Sequence, residues 1–143
     1  MSFRISSFCT KLAIILLVNR LTIIFAAKPA YMVIQINAKK ELKGIINRSE
    51  NLLIYFFNDD CAPCLSLRPK VEELVREKFP LMDMAYVNGK EFPELVGEFN
   101  AFGFPVLIFY FEGKEFLRYS KYVSMIELEE SIGRIYHLYH QGS

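Results

Sequence analysis

The sequence predicts one α/β domain in which helices flank a mixed central sheet, in the order β-α-β-α-β-α-β-β-α. Three observations carry this expectation. Apolar runs of strand length at residues 52–57 and 106–111 alternate with stretches whose apolar residues recur at helical spacing. The first three strand runs are separated by helical stretches, which favours parallel pairing through crossovers. Glu112-Gly113 then makes a hairpin-type turn, so the last two strands must run antiparallel.

Taken in order, residues 33–36 read as a short strand. Asn37 is placed to cap a helix reaching about residue 47, with Leu42, Ile45 and Ile46 on one face. Residues 52–57 form a continuous apolar run suited to a central strand covered on both sides. A helix to about residue 79 follows, with Leu67, Val71, Leu74 and Val75 on its buried stripe. Residues 82–87 read as a strand and 92–99 as a short helix starting near Pro93. Gly103-Phe104-Pro105 breaks the chain before the strand at 106–111, and residues 115–119 return. Ser124 and Glu127 have capping-box spacing for a last helix, whose expected core face is Met125, Leu128, Ile132, Ile135 and Tyr139.

Composition bounds the function. The chain has 143 residues, 52% hydrophobic and 23% charged, with 17 basic and 16 acidic residues and a net charge of +1. That is enough chain for one packed core, and the balance gives no electrostatic case for a nucleic-acid partner. Residues 1–31 differ from the rest: they carry no acidic residue, and residues 12–27 are mostly apolar. Two readings stay open. The segment is a signal or membrane anchor, with membrane association through residues 12–27, or it is an upstream extension absent from the working protein. The run is short for a spanning helix, and Arg20 lies near its centre. The domain itself is expected over residues 32–143. Without the first 31 residues a cytoplasmic location follows; with them, export or membrane anchoring.

The chemistry is expected at Cys61-Ala62-Pro63-Cys64, after an apolar strand and at the start of a helix. Two residues between cysteines gain little from loop closure, so the pair reads as a reversible bond and Cys9 as a bystander. A helix N-terminus offers unpaired N–H groups and partial positive charge, both of which favour a thiolate. Cys61 is the expected nucleophile and Cys64 the resolving thiol, with thiol–disulfide exchange as the reaction. The working group is then the Cys61–Cys64 disulfide itself, with no cofactor and no metal. The competing reading is half of a zinc site completed by His137 and His140, but the histidine spacing falls outside the usual range.

Residues 33–140 resemble a thioredoxin. The resemblance rests on the C-x-P-C motif, on Pro69 five residues past the second cysteine, and on Phe104-Pro105 before an apolar strand. It implies the thioredoxin fold, a cis bond at Pro105, and a substrate-binding surface at Ala62, Pro63, Phe104 and Pro105. Partners would be protein disulfides, paired as an added strand, and a reductase or oxidant that resets the cysteines.

This sequence departs from the family at three points. Asp59-Asp60 precedes Cys61 where the family has Trp, and two carboxylates there should raise the Cys61 pKa above that of a typical thioredoxin. Tyr55 replaces a buried carboxylate, and Tyr86 replaces its lysine partner. The expected tuning groups are therefore Asp59, Asp60 and Tyr55. Ser120-Lys121-Tyr122 holds no glycine beside the groove, which should then be narrower. These departures leave an interaction module with weak turnover as the alternative function.

Overall fold

The computed structural model describes residues 31–140. Its elements are β1 (Val33–Gln35), α1 (Lys39–Arg48), β2 (Asn51–Phe57), α2 (Ala62–Lys78), β3 (Asp83–Asn88), α3 (Pro93–Glu98), β4 (Val106–Phe111), β5 (Lys114–Ser120) and α4 (Met125–His140). The sheet order is β1-β3-β2-β4-β5. β1 and β2 run parallel to β3, while β4 runs antiparallel to both β2 and β5. This is the mixed sheet that the alternation and the hairpin turn demand.

β2 lies at the centre, and all seven of its residues are buried. Successive side chains of a strand point to opposite faces, so β2 feeds two cores at once. Leu53, Tyr55 and Phe57 pack with Val71, Val75, Leu128 and Ile132 under α2 and α4. Leu52, Ile54 and Phe56 pack with Leu42, Ile45, Leu95 and Val96 under α1 and α3. A strand clamped in this way has no freedom to slip, because a one-residue shift would exchange the two faces. The chain leaves its C-terminal end in a fixed place, and the cysteines follow at once.

Two local expectations are corrected, and one holds. Asn37 does not cap α1: the N-cap is Ala38, without a side-chain bond. Instead the Asn37 amide donates to Glu41 Oε2 at 3.1 Å, and its side chain donates to the Gln35 carbonyl. Glu41, in the first turn, thus reaches back to an amide ahead of the helix. On α4 the buried line is Leu128, Ile132 and Tyr136, not a line ending at Tyr139. Tyr139 lies at the rim, its ring against Phe111 and its hydroxyl donating to Glu112. Ser124 Oγ does accept from the Glu127 amide, at 3.4 Å.

The segment expected at 1–31, with Cys9 and the run 12–27, lies outside the described residues except for Tyr31. Tyr31 packs against the α2–α4 core, and its hydroxyl donates to Met84 Sδ at 3.3 Å. Among the described residues, no helix is long and apolar enough to cross a membrane.

Candidate active site

The loop Asn58-Asp59-Asp60 carries the chain from β2 into α2, with the Cys61 amide donating to the Asn58 carbonyl at 3.0 Å. Cys61 is the N-cap of α2, in extended conformation (φ −91°, ψ 96°). Its sulfur accepts a hydrogen bond from the Cys64 amide at 3.2 Å. This is the place where a capping oxygen normally satisfies the first free N–H groups of a helix. A thiolate there is held by the amide and by the positive end of the helix. Cys61 and Cys64 are joined in a disulfide, with Cα atoms 5.2 Å apart. Cys61 is half-buried, whereas Cys64 is 1% exposed. Ala62 and Pro63 are exposed beside them, and Pro63 takes the first turn, where a missing N–H does no harm. Pro69 lies inside α2.

The Phe104–Pro105 bond is cis. Pro105 and Pro63 line one shallow groove of about 300 Å³, together with Leu67, Lys121, Tyr122 and Val123. The Lys121 amide donates to the Pro105 carbonyl at 2.9 Å. Lys121 does so at φ +65°, a left-handed conformation that favours glycine. Tyr122 stands 91% exposed at the groove. The absence of glycine thus places a lysine stem and a phenol at this wall.

Beneath α2, Tyr55 and Tyr86 are neighbours across β2 and β3, with ring centroids 5.6 Å apart. The Tyr55 hydroxyl donates to the Cys64 carbonyl at 2.8 Å. Burial pushes its pKa up to about 12. Burial, reinforced by a hydrogen bond to Glu72, raises the pKa of Tyr86 as well. Arg68 lies over the Tyr86 ring at 3.9 Å and pairs with Glu72. Both tyrosines are neutral at physiological pH, so neither takes up a proton as a buried carboxylate would.

Asp59 accepts from Asn88 Nδ2 at 2.7 Å, and Asp60 pairs with Lys90. Each carboxylate thus has a partner, a neutral amide for Asp59 and an ammonium for Asp60. Asn88, Gly89, Lys90, Glu72 and Arg68 are the site residues that the sequence reading missed. The available signal was an Asn-Gly pair at the end of an apolar strand.

The zinc alternative does not survive the geometry. His140 Nε2 lies 3.3 Å from Asn51 Nδ2, at the start of β2. Cys61 lies beyond the other end of that strand, roughly 20 Å away at 3.3 Å per residue. His137 packs against Phe79 and Tyr136. Among the described residues, no group of three His, Cys, Asp or Glu is placed to hold a metal.

A five-stranded mixed sheet, a disulfide at the mouth of a helix and a cis-proline that shares a groove with Pro63 of the cysteine motif define the class of thioredoxin-fold thiol–disulfide oxidoreductases. The chain belongs to the thioredoxin family: the family model described as Thioredoxin matches residues 33–134. It is similar to the thioredoxin-like protein YdfQ of Bacillus subtilis, at 30% identity over 98 residues, covering 68% of this chain and 87% of the relative. Among solved structures it resembles a single-site mutant of a thioredoxin from Halobacterium salinarum (TM-score 0.64, 21% identity, 80% of this chain and 95% of that one). It also resembles Fasciola hepatica thioredoxin (TM-score 0.62, 28% identity, 72% and 97%). The cis bond at Pro105 agrees with what the resemblance implied.

Proposed function

We propose that this protein exchanges disulfides with protein substrates, with Cys61 as nucleophile and Cys64 as resolving thiol. The observation that carries the reading is the hydrogen bond from the Cys64 amide to Cys61 Sγ at the helix N-cap, with Cys64 buried behind it. In the reducing direction, the Cys61 thiolate attacks one sulfur of a substrate disulfide. A mixed disulfide forms, and the other substrate sulfur leaves as a thiolate that takes a proton from solvent. Cys64 loses its proton and attacks Cys61 Sγ, closing the Cys61–Cys64 bond and releasing the second substrate thiolate. A separate dithiol reductant must then reopen the pair; no other cofactor enters the scheme. The substrate segment lies along the groove between Pro63 and Pro105, pairing as an added strand with the backbone at Phe104.

Dithiothreitol-driven insulin reduction by wild type and Cys61→Ser tests this. The reading expects catalysed turbidity from the wild type alone, and equal rates would refute it. The second reading, an interaction module with weak turnover, is favoured by one observation: two neutral tyrosines stand at the positions of the family's proton-handling pair. Full binding of a disulfide partner without reduction would select it. Direction follows compartment, which mass spectrometry of the native N-terminus with cell fractionation determines.

A further inference from the structure

We propose that the turn Asn88-Gly89-Lys90 is a positioning element for the cysteine pair, with Lys90 offsetting Asp60 and so setting how readily Cys61 ionises. The proposal rests on the oxidoreductase reading. The turn holds both halves of the site. Asn88 is 3% exposed and opposite Phe57 in register. Its Nδ2 donates to Asp59 at 2.7 Å and to Glu91 at 3.3 Å, and its Oδ1 accepts from the Lys90 amide at 3.0 Å. Every hydrogen of that side-chain amide is used, so Asp59 is tied down from within the fold. The Gly89 amide donates to the Phe57 carbonyl at 2.8 Å. A Cβ on Gly89 would fall 2.2 Å from Phe104 Cζ, so the ring beside the cis-proline rests on bare backbone.

Lys90 completes the turn by pairing with Asp60. Both side chains are largely exposed, so the pair adds little to stability. Its placement matters more. Asp60 directly precedes Cys61, with Cα atoms about 3.8 Å apart, so its carboxylate and the sulfur lie within about one screening length of each other, roughly 8 Å at physiological salt. A bare carboxylate there opposes the thiolate, and an ammonium paired with it acts in the opposite direction. The other groups around the site do not replace it. Asp59 and Glu91 are both acids held by Asn88. Arg68 is engaged with Glu72 and the Tyr86 ring. Tyr55 is neutral, and Lys121 lies on the groove wall by Pro105. Removing Lys90 would leave Asp60 without its ion-pair partner.

The test is alkylation of the reduced protein by iodoacetamide across pH, with modification at Cys61 read by mass spectrometry. Lys90→Gln should move the Cys61 profile to higher pH and slow the reaction at pH 7 roughly threefold, the size of one unit charge several ångströms away in water. Lys90→Arg should restore the wild-type profile. Asp60→Asn should move it the other way, and the double variant should return close to wild type. All differences should shrink in about 1 M NaCl. Equal behaviour of Lys90→Gln and Lys90→Arg, or a shift in the same direction for Lys90→Gln and Asp60→Asn, would overturn the proposal. Insulin reduction run on the same proteins separates the two claims. A flat alkylation response with Cys61-dependent reduction sinks the positioning role alone. The expected response with no reduction by wild type sinks the oxidoreductase reading alone.

Discussion

The hydroxyl of Tyr55 donates a hydrogen bond to the backbone carbonyl of Cys64 across 2.8 Å. A phenol at this position fixes the first turn of α2 against β2, but with its pKa pushed up to about 12 by burial it stays protonated. On the proposed mechanism, the Cys64 proton would then leave through solvent or through the carboxylates of the Asp59-Asp60 loop.

Tyr55→Phe should therefore lower stability by about 1 kcal/mol, the net worth of one buried hydrogen bond. It should leave the alkylation profile of Cys61 unchanged from roughly pH 5 to pH 9, where the phenol carries its proton throughout. Urea unfolding and iodoacetamide kinetics check the two halves. A displaced profile would mean that Tyr55 takes part in proton transfer.

Stability should fall as pH rises above 10. Burial raises the pKa of Tyr55 and, helped by Glu72, of Tyr86, both from an ordinary value of 10.0. The folded state then holds protons that the unfolded chain has lost, so their contribution is complete below about pH 10. For Tyr55 it is lost as pH climbs through about 12. Urea midpoints measured from about pH 8 to about pH 11.5 should decline, and the decline should be shallower in Tyr55→Phe. An equal slope in wild type and variant would contradict this.

Gly89→Ala places a methyl group where the Phe104 ring lies. Overpacking of this kind costs roughly 1–3 kcal/mol, and the ring must move together with the strand-pairing edge beside Pro105. Reduction of insulin should slow more than reduction of a small aromatic disulfide, which needs no strand pairing. Parallel assays of the two substrates measure this; equal slowing would show that Phe104 does not contribute to peptide binding.

Much of the architecture was legible because it is written in local periodicity. The run at 52–57 is apolar throughout, and Glu112-Gly113 turns back through a hairpin; both signals act over a few residues. The cysteine pair was legible for the same reason, since strand, motif and helix follow one another directly. Partners brought by register were not. Asn88 meets Asp59 only because Phe57 and Asn88 pair across β2 and β3. Glu72 meets Tyr86 only through the seating of α2 on the sheet. Choosing Tyr139 over Tyr136 failed because both fit helical spacing, and the contact of Tyr139 with Phe111 at the end of β4 decides between core and rim. Asn37 failed as a cap because its side chain turns back to Gln35.

The most direct test is to remove the resolving thiol and look for the intermediate. Cys64→Ala, reduced and mixed with a disulfide-bonded protein, should accumulate a covalent mixed disulfide mapped to Cys61 by peptide mass spectrometry, and dithiothreitol should dissolve it. No trapped adduct on Cys61 under conditions where the wild type reduces the same substrate would contradict the account.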